Sequence, residues 1–269
     1  MTSSTGLPQL FKIAAIRQEN AATRSFVLEG SLEAAPGQFV MAWLPGVDEK
    51  PFSLAHADPV MLTVAAVGPF SQALHRLAVG DRIWLRGPLG CGYKITPARG
   101  SSSDSVSRPH ALLLGGGYGV APLRFLAEQL LAAGYAVSMI IGARSAADLL
   151  LVEAFRAMDV ALWLATEDGS AGLRGLATDA IEPALAAAPA ETTMIYACGP
   201  TGMLRAIASI CQAKGLPAQL SWEAHMRCGI GLCGSCEVGD GWLTCLDGPV
   251  FAFDPLAPDQ TEKDHHVRR

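Results

Sequence analysis

Ala111-Leu112-Leu113-Leu114-Gly115-Gly116-Gly117-Tyr118-Gly119-Val120-Ala121-Pro122 reads as a short buried strand that passes through a glycine loop into a helix extending to Ala133. Pro122 suits a first helical turn, where its missing N–H has no partner to lose. The same rhythm repeats downstream. Val137–Ile141, Ala161–Ala165 and Met194–Ala197 are apolar strand candidates, and Leu149–Met158, Leu173–Ala187 and Thr201–Lys214 are helix candidates. This alternation predicts an α/β unit over residues 110–221, a doubly wound parallel sheet. Such sheets bind ligands outside the carboxyl ends of their strands. Gly115, Gly116, Gly117, Gly119 and Pro122 lie at one of those ends, where glycines let the backbone approach a pyrophosphate and free helix N–H groups attract it. The run is not the G-x-G-x-x-G fingerprint. The acidic residue expected about 20 residues further on is also missing, and Gly142-Ala143-Arg144 stands in its place. The unit is therefore expected to bind a nucleotide, but not in the usual dehydrogenase manner. Arg144 is either a surface arginine or a contact to the adenosine end of that nucleotide. Cys198-Gly199-Pro200 closes another strand at the same edge, and its lone cysteine is either a small buried residue or part of the site.

Upstream the pattern is different. Leu10–Ile16, Thr23–Glu29, Gln38–Leu44, Phe52–His56, Met61–Val67 and Asp81–Arg86 are short strand candidates punctuated by Gly and Pro. They predict a small antiparallel β-barrel over residues 1–97, interrupted by a short helix over Ser71–Leu77. Two spots there look chemical. Lys50-Pro51-Phe52-Ser53 combines a cation, a fixed turn, an aromatic plane and a hydroxyl at the start of a strand, suited to a pyrophosphate and a flat ring. A solvated lysine is the plainer reading. Gly68-Pro69-Phe70-Ser71 precedes the short helix as a phosphate turn or a simple Ser N-cap. Residues 98–109 are Ser-rich and polar and are expected to be a linker or loop.

Downstream, Cys228, Cys233, Cys236 and Cys245 follow the spacing C-x4-C-x2-C-x8-C, four of the seven cysteines within eighteen residues. C-x4-C-x2-C with a more distant fourth cysteine is the plant-type 2Fe-2S ligand pattern. The intervening Gly229, Gly231, Gly234 and Ser235 leave room for a loop to wrap a cluster. A four-cysteine zinc site or two disulfides are the competing readings, although zinc usually takes two short knuckles and here the second is missing. A small cluster module and tail over residues 222–269 follow. Cys91 and Cys211 are expected to be packing residues.

The 269 residues allow two domains plus this module, and half are hydrophobic. A formal net charge of -5, with no basic run, argues against nucleic acid as a partner. No apolar run is long enough to span a membrane. The N-terminus lacks a secretory pattern, and an odd, uneven set of cysteines fits a reducing compartment, so a cytoplasmic location is expected. No Ser/His/Asp or paired-carboxylate constellation declares itself, and the only paired histidines are His265-His266.

Taken in order, these motifs resemble the ferredoxin-reductase-like flavoproteins, most closely the electron-transfer subunits of the dihydroorotate dehydrogenase B type. The resemblance runs from Phe11 to Phe251. Lys50 to Ser53 is similar to the family's Arg-x-[Tyr/Phe]-Ser flavin motif, with lysine in place of the arginine fork. Gly68 to Ser71 resembles its Gly-x-Gly-Thr flavin-phosphate turn, with Phe70-Ser71 replacing Gly-Thr. Gly115 to Pro122 resembles its nicotinamide-nucleotide loop, and Thr166 to Ser170, with Asp168, resembles a further segment, as does Cys198 to Pro200. The four cysteines and Asp247-Gly248-Pro249-Val250-Phe251 resemble its cluster domain. The resemblance implies an FAD-binding barrel, an NAD(H)-binding sheet and a 2Fe-2S cluster. It also implies an FMN-containing dihydroorotate dehydrogenase catalytic subunit as partner, in a heterotetramer. Electrons would pass from that partner through the cluster and FAD to NAD+, because a flavin exchanges electrons both singly and in pairs. Cys198 is then a positioning residue at the nicotinamide edge. Gamma subunits of sulfhydrogenases, sulfite reductase subunits and NADH-dependent ferredoxin:NADP oxidoreductase subunits share the layout. A zinc-stabilised module without redox turnover is the reading from another class.

Overall fold

The computed structural model describes residues 6–96, 108–188 and 193–255. The expected linker lies outside them except for Arg108 and Pro109, as does the tail with His265 and His266.

The first sheet contains β1 (Gln9–Gln18), β2 (Thr23–Leu28), β3 (Phe39–Leu44), β4 (Asp48–Ser53), β5 (His56–Ala57), β6 (Val60–Ala65) and, after helix α1 (Pro69–His75), β7 (Arg82–Leu89). All pairings are antiparallel, in the order β4-β3-β7-β1-β2-β6-β5. One core gathers side chains from across this sheet, among them Ile13, Phe26, Val40, Leu62, Ile83 and Leu85, which is the expected barrel. Two details depart from the expectation. The strand expected at Phe52–His56 runs instead over Asp48–Ser53, so Lys50 to Ser53 lie within a strand and not in a turn leading into one. Pro51 is tolerated there because β4 is an edge strand, which needs fewer ladder donors. Helix α1 starts two residues early, at Pro69, which takes the first helical position.

The second sheet is built from β8 (His110–Gly116), helix α2 (Val120–Ala132), β9 (Ala136–Ala143), helix α3 (Val152–Arg156), β10 (Ala161–Thr166), β11 (Leu173–Arg174), helix α4 (Ile181–Ala186), β12 (Thr193–Cys198), helix α5 (Thr201–Lys214), β13 (Ala218–Ser221) and β14 (Val250–Phe253). The order is β11-β10-β9-β8-β12-β13-β14, parallel throughout except for β14. Ala111 and Leu113 face one core with α2, while Leu112 and Leu114 face the other with α4 and α5. That is the two-sided burial of a doubly wound sheet.

The helix expected at Leu173–Ala187 is mostly something else. Gly172 and Gly175 have φ of 65° and 145°, Leu173–Arg174 pair with β10, and the α-helix begins only at Ile181. The alanine content suited a helix, but the sheet edge took the first residues. Helix α3 is likewise shorter than Leu149–Met158, because Leu150 and Leu151 are anchored in the core before it. The final strands, β13 and β14, were not anticipated. Cys211 is fully buried, as expected, but Cys91 is exposed. No helix among the described residues is long and apolar enough to cross a membrane.

The two sheets are stitched together. Tyr93 Oη donates to the Ala197 carbonyl at 3.0 Å, and Gln219 exchanges two hydrogen bonds with the Lys94 backbone. Glu128 of α2 pairs with His56 of β5 at 3.0 Å and with Arg124 at 2.9 Å. These ties place the carboxyl ends of the parallel strands against the barrel.

Candidate functional site

The cysteine loop is a glycine-hinged wrap. Gly229, Gly231 and Gly234 have φ of 67°, 77° and 70°, a region that favours glycine. These turns aim backbone donors inward. The Ile230 and Leu232 N–H groups point at the Cys228 sulfur at 3.5 and 3.3 Å, and the Gly231 N–H points at the Cys245 sulfur at 3.2 Å. Cys236 and Cys245 are buried against Phe39, Met41 and Met226, whereas Cys233 is exposed beside Ser235 Oγ at 3.3 Å. The Ser235 hydroxyl and N–H and the neighbouring Cys228 lower the Cys233 thiol to about 6. Burial, then its neighbour Cys236, raises the Cys245 thiol to about 11. Cys228 lies beside Cys233, and Cys236 and Cys228 both act on Cys245, so the four thiols form one gathered set. No group of three or more His, Cys, Asp or Glu is arranged to hold a single metal ion among the described residues. Four gathered thiols with inward N–H groups fit a two-iron, two-sulfide cluster, which takes four thiolates.

A cavity of about 290 Å³ lies where the barrel, the parallel sheet and the cysteine module meet. Pro51, Phe52 and Ser53 line it from the barrel, Gly119, Pro122 and Cys198 from the parallel sheet, and Met226 from the module. Its walls are mostly apolar and include the Phe52 ring, which packs at 5.9 Å from Phe70. A planar, largely apolar ring system with a polar edge fits this lining. Cys198, at the end of β12, is 4% exposed, and burial pushes its thiol up to about 12. It stays protonated and is no nucleophile, in keeping with a positioning role. Glu223 lines the same cavity, and burial raises its carboxyl above the usual range.

A second cavity of about 680 Å³ opens at the carboxyl ends of β8, β9, β10 and β12. Gly116, Gly117, Arg144 and Pro200 line it, and Ala65, Val67 and Tyr118 line both cavities. Gly117, at φ 54°, has open space where a Cβ would stand. Gly116 and Gly119 are needed for contact inside the protein: a Cβ on Gly116 would lie 2.8 Å from Met203 Sδ, and one on Gly119 2.3 Å from the Cys198 carbonyl oxygen. Arg144 is mostly exposed and lies 3.5 Å from Asp148. A long, partly apolar trough beside the start of α2 fits a dinucleotide with its phosphates near the free N–H groups.

The remaining expected residues lie off these linings. Lys50 pairs with Asp48 at 2.6 Å. Ser71 is a helix-capping residue: its hydroxyl oxygen accepts from the Val67 and Gly68 N–H groups, and the hydroxyl donates to the Gly68 carbonyl, all at 3.0 Å. Phe70 is buried in the barrel core, and Gly115 and Gly199 lie behind the second cavity against Val120 and Met203. Asp168 accepts from the Ser170 N–H and hydroxyl at 2.9 and 2.6 Å, which shapes the turn after β10, and Glu167 lines the cavity in its stead. Sequence reasoning missed Tyr118, Ser221, Glu223 and Met226. Tyr118 stood in the quoted glycine run, and the strand pattern of Ala218–Ser221 after Gly215 and Pro217 was the available signal for the others.

An oxidoreductase NAD-binding domain model matches residues 113–209, and a model for the iron-sulfur cluster binding domain of dihydroorotate dehydrogenase B matches residues 223–257. A Thermococcus kodakarensis protein named "Probable dihydroorotate dehydrogenase B (NAD(+)), electron transfer subunit" is 42% identical over 233 residues, 87% of this chain and 91% of its own length. A protein of the same name from Methanocaldococcus jannaschii is 36% identical over 250 residues, 93% of this chain and 91% of its own. A solved structure of NADH-dependent reduced ferredoxin-NADP oxidoreductase aligns with a TM-score of 0.79 at 28% identity, covering 98% of this chain and 96% of that one. The FAD/NAD-binding domain of nitric oxide dioxygenase from Vibrio cholerae shares the fold, with a TM-score of 0.63 at 22% identity over 77% of this chain and 94% of that one.

Proposed function

The chain belongs to the family of electron-transfer subunits of NAD-dependent dihydroorotate dehydrogenase B, and from that premise we propose that it carries electrons from a dihydroorotate-oxidising partner to NAD+ in pyrimidine biosynthesis. The single observation that carries this reading is the cavity shared by barrel, nucleotide sheet and cysteine module. When bound there, FAD supplies hydride exchange with a nicotinamide and single-electron exchange with a 2Fe-2S cluster. The chain supplies the rest. Pro51, Phe52 and Ser53 would orient the ring system from the barrel side, and Cys198 would bring a neutral thiol to the same cavity from the parallel sheet. Glu223 lines the same cavity with a carboxyl that burial raises above the usual range. Gly117 and the start of α2 hold the phosphates of NAD(H), Gly116 and Pro200 shape the trough, and Arg144 meets its outer end. Gly119 and Gly199 keep that loop close to the end of β12, Gly115 leaves room for Val120, and Pro122 lines the flavin-sized cavity. Lys50, Gly68, Phe70, Ser71 and Asp168 act through the local structure they fix. Cys228, Cys233, Cys236 and Cys245 hold the irons.

The partner is read as an FMN-containing catalytic subunit in a heterotetramer, on the family likeness. The cytoplasm is read from the odd, uneven set of seven cysteines, which fits a reducing compartment. A role in another complex of the same layout is supported by the 0.79 TM-score likeness, and it ranks second because that protein is 28% identical against 42% for the dihydroorotate dehydrogenase relative. The test is to isolate the chain anaerobically with its natural partner. FAD, about two irons per chain and dihydroorotate-driven NAD+ reduction are expected. A Cys233→Ser variant should lose the cluster while NADH still bleaches its flavin. Colourless protein with one zinc, or a partner indifferent to dihydroorotate, would sink the reading.

A further inference from the structure

The first turn of the cysteine loop rests on the barrel. Along β7, Ile83 and Leu85 point into the barrel core, so Arg82, Trp84 and Arg86 stand on the outer face. Arg86 pairs in register with Met41 of β3. Its side chain is only 11% exposed. Nε and Nη2 donate to the two carboxylate oxygens of Glu49 at 3.1 and 3.0 Å. Nη2 also donates to the carbonyl oxygen of Cys228 at 2.8 Å. The next residue, Gly229, sits so close to the barrel that a Cβ would lie 2.9 Å from Met41 Cγ. A cation largely removed from water thus ties the peptide of a cysteine ligand to the barrel, and a carboxylate fixes the orientation of that cation. The planar fork makes three bonds at once, a geometry that lysine cannot copy. Neither Arg86 nor Glu49 lines the flavin-sized or the dinucleotide-sized cavity.

We propose that Arg86, oriented by Glu49, is a positioning residue for electron transfer: it clamps the Cys228 end of the cluster against the flavin-binding barrel and biases the cluster's reduction potential through its charge. The proposal rests on the cluster reading above. The two charges predict effects of opposite sign. Removing Arg86 leaves a carboxylate unpaired near an electron-accepting centre and makes reduction harder. Removing the Glu49 charge leaves the guanidinium unbalanced and makes reduction easier. A contact that served only folding would not separate the two.

The experiment compares the anaerobic holoprotein with Arg86→Gln, Arg86→Lys and Glu49→Gln. Redox titration followed by the paramagnetic signal of the reduced cluster should show a lower midpoint in Arg86→Gln, a higher one in Glu49→Gln, and a value near the parent in Arg86→Lys. Stopped-flow mixing with NADH should show unchanged flavin bleaching, with cluster reduction slowed by about tenfold or more in Arg86→Gln. Hydrogen exchange at the Ile230 and Leu232 amides should quicken in the same variant. If Arg86→Gln fails to keep its iron, the midpoints of the other two variants decide. Equal midpoints in every protein, or flavin bleaching slowed as much as cluster reduction, would overturn the proposal and leave the cluster reading standing. A parent protein without a cluster signal would overturn both.

Discussion

Burial pushes the thiols of Cys198 and Cys211 up to about 12 and about 11, so both stay protonated near neutrality, while Cys91 is exposed at the surface. Alkylation needs the thiolate and access. Iodoacetamide treatment of the holoprotein should therefore label Cys91 first and spare Cys198 and Cys211, as read by peptide mass mapping. Labelling of Cys198 as fast as Cys91 would contradict the packing described. Glycines make the same point about neighbours. Gly115 to Gly119 stood out as a run, but the run did not say which glycine faces open space and which is required by a neighbour inside the protein. Gly119→Ala puts a carbon 2.3 Å from a carbonyl oxygen on β12, and neither side is a flexible chain end. It should cost about 1–3 kcal/mol of stability in a denaturant titration. A variant as stable as the parent would show that the loop can move away from β12.

At the scale of elements, β8 carries a buried polar residue in an apolar run. His110 is 1% exposed and lies 3.0 Å from Thr193 Oγ1 and 2.9 Å from Ser138 Oγ, so it bridges β12 and β9. Burial lowers its pKa from 6.5. The unfolded chain therefore binds the proton more readily between the folded value and 6.5, and stability falls as the pH drops through that window. Unfolding free energy measured across it should decline toward acid, and His110→Gln should lose that part of the decline. An unchanged slope would mean that His110 is not the group responsible. Helices α3 and α4 show the limit of local pattern. Their composition suited longer helices, but Leu150 and Leu151 were claimed by the core and Leu173–Arg174 by the sheet edge. Propensity is a weak prior when a tertiary contact competes for the same residues.

Across the whole molecule, the cysteine module is not a pendant domain. Cys236 and Cys245 share a core with Phe39 and Met41 of the barrel, and β14 returns from the module to close the parallel sheet beside β13. Cys91 N–H donates to the Gly248 carbonyl at 2.6 Å, and Trp222 N–H to the Pro249 carbonyl at 2.9 Å. Ligand binding that depends on the folded loop is folding free energy. Removing the iron should thus lower the single calorimetric melting transition of the chain. A separate low-temperature transition for the module, with the rest unmoved, would show that these ties are weak.

The sequence alone determined the order of an antiparallel unit, an alternating α/β unit and a cysteine-rich segment, and it singled out four cysteines at cluster spacing, because strand alternation, glycine loops and C-x4-C-x2-C spacing are relations between near neighbours in the chain. Only the tertiary structure decided that Glu223, Met226 and Tyr118 face the cavities, that Arg86 holds Cys228, and that Val250–Phe253 completes the nucleotide sheet. Those are meetings of residues far apart in sequence. They arise when apolar faces are buried together, and no local period records which distant face each one finds.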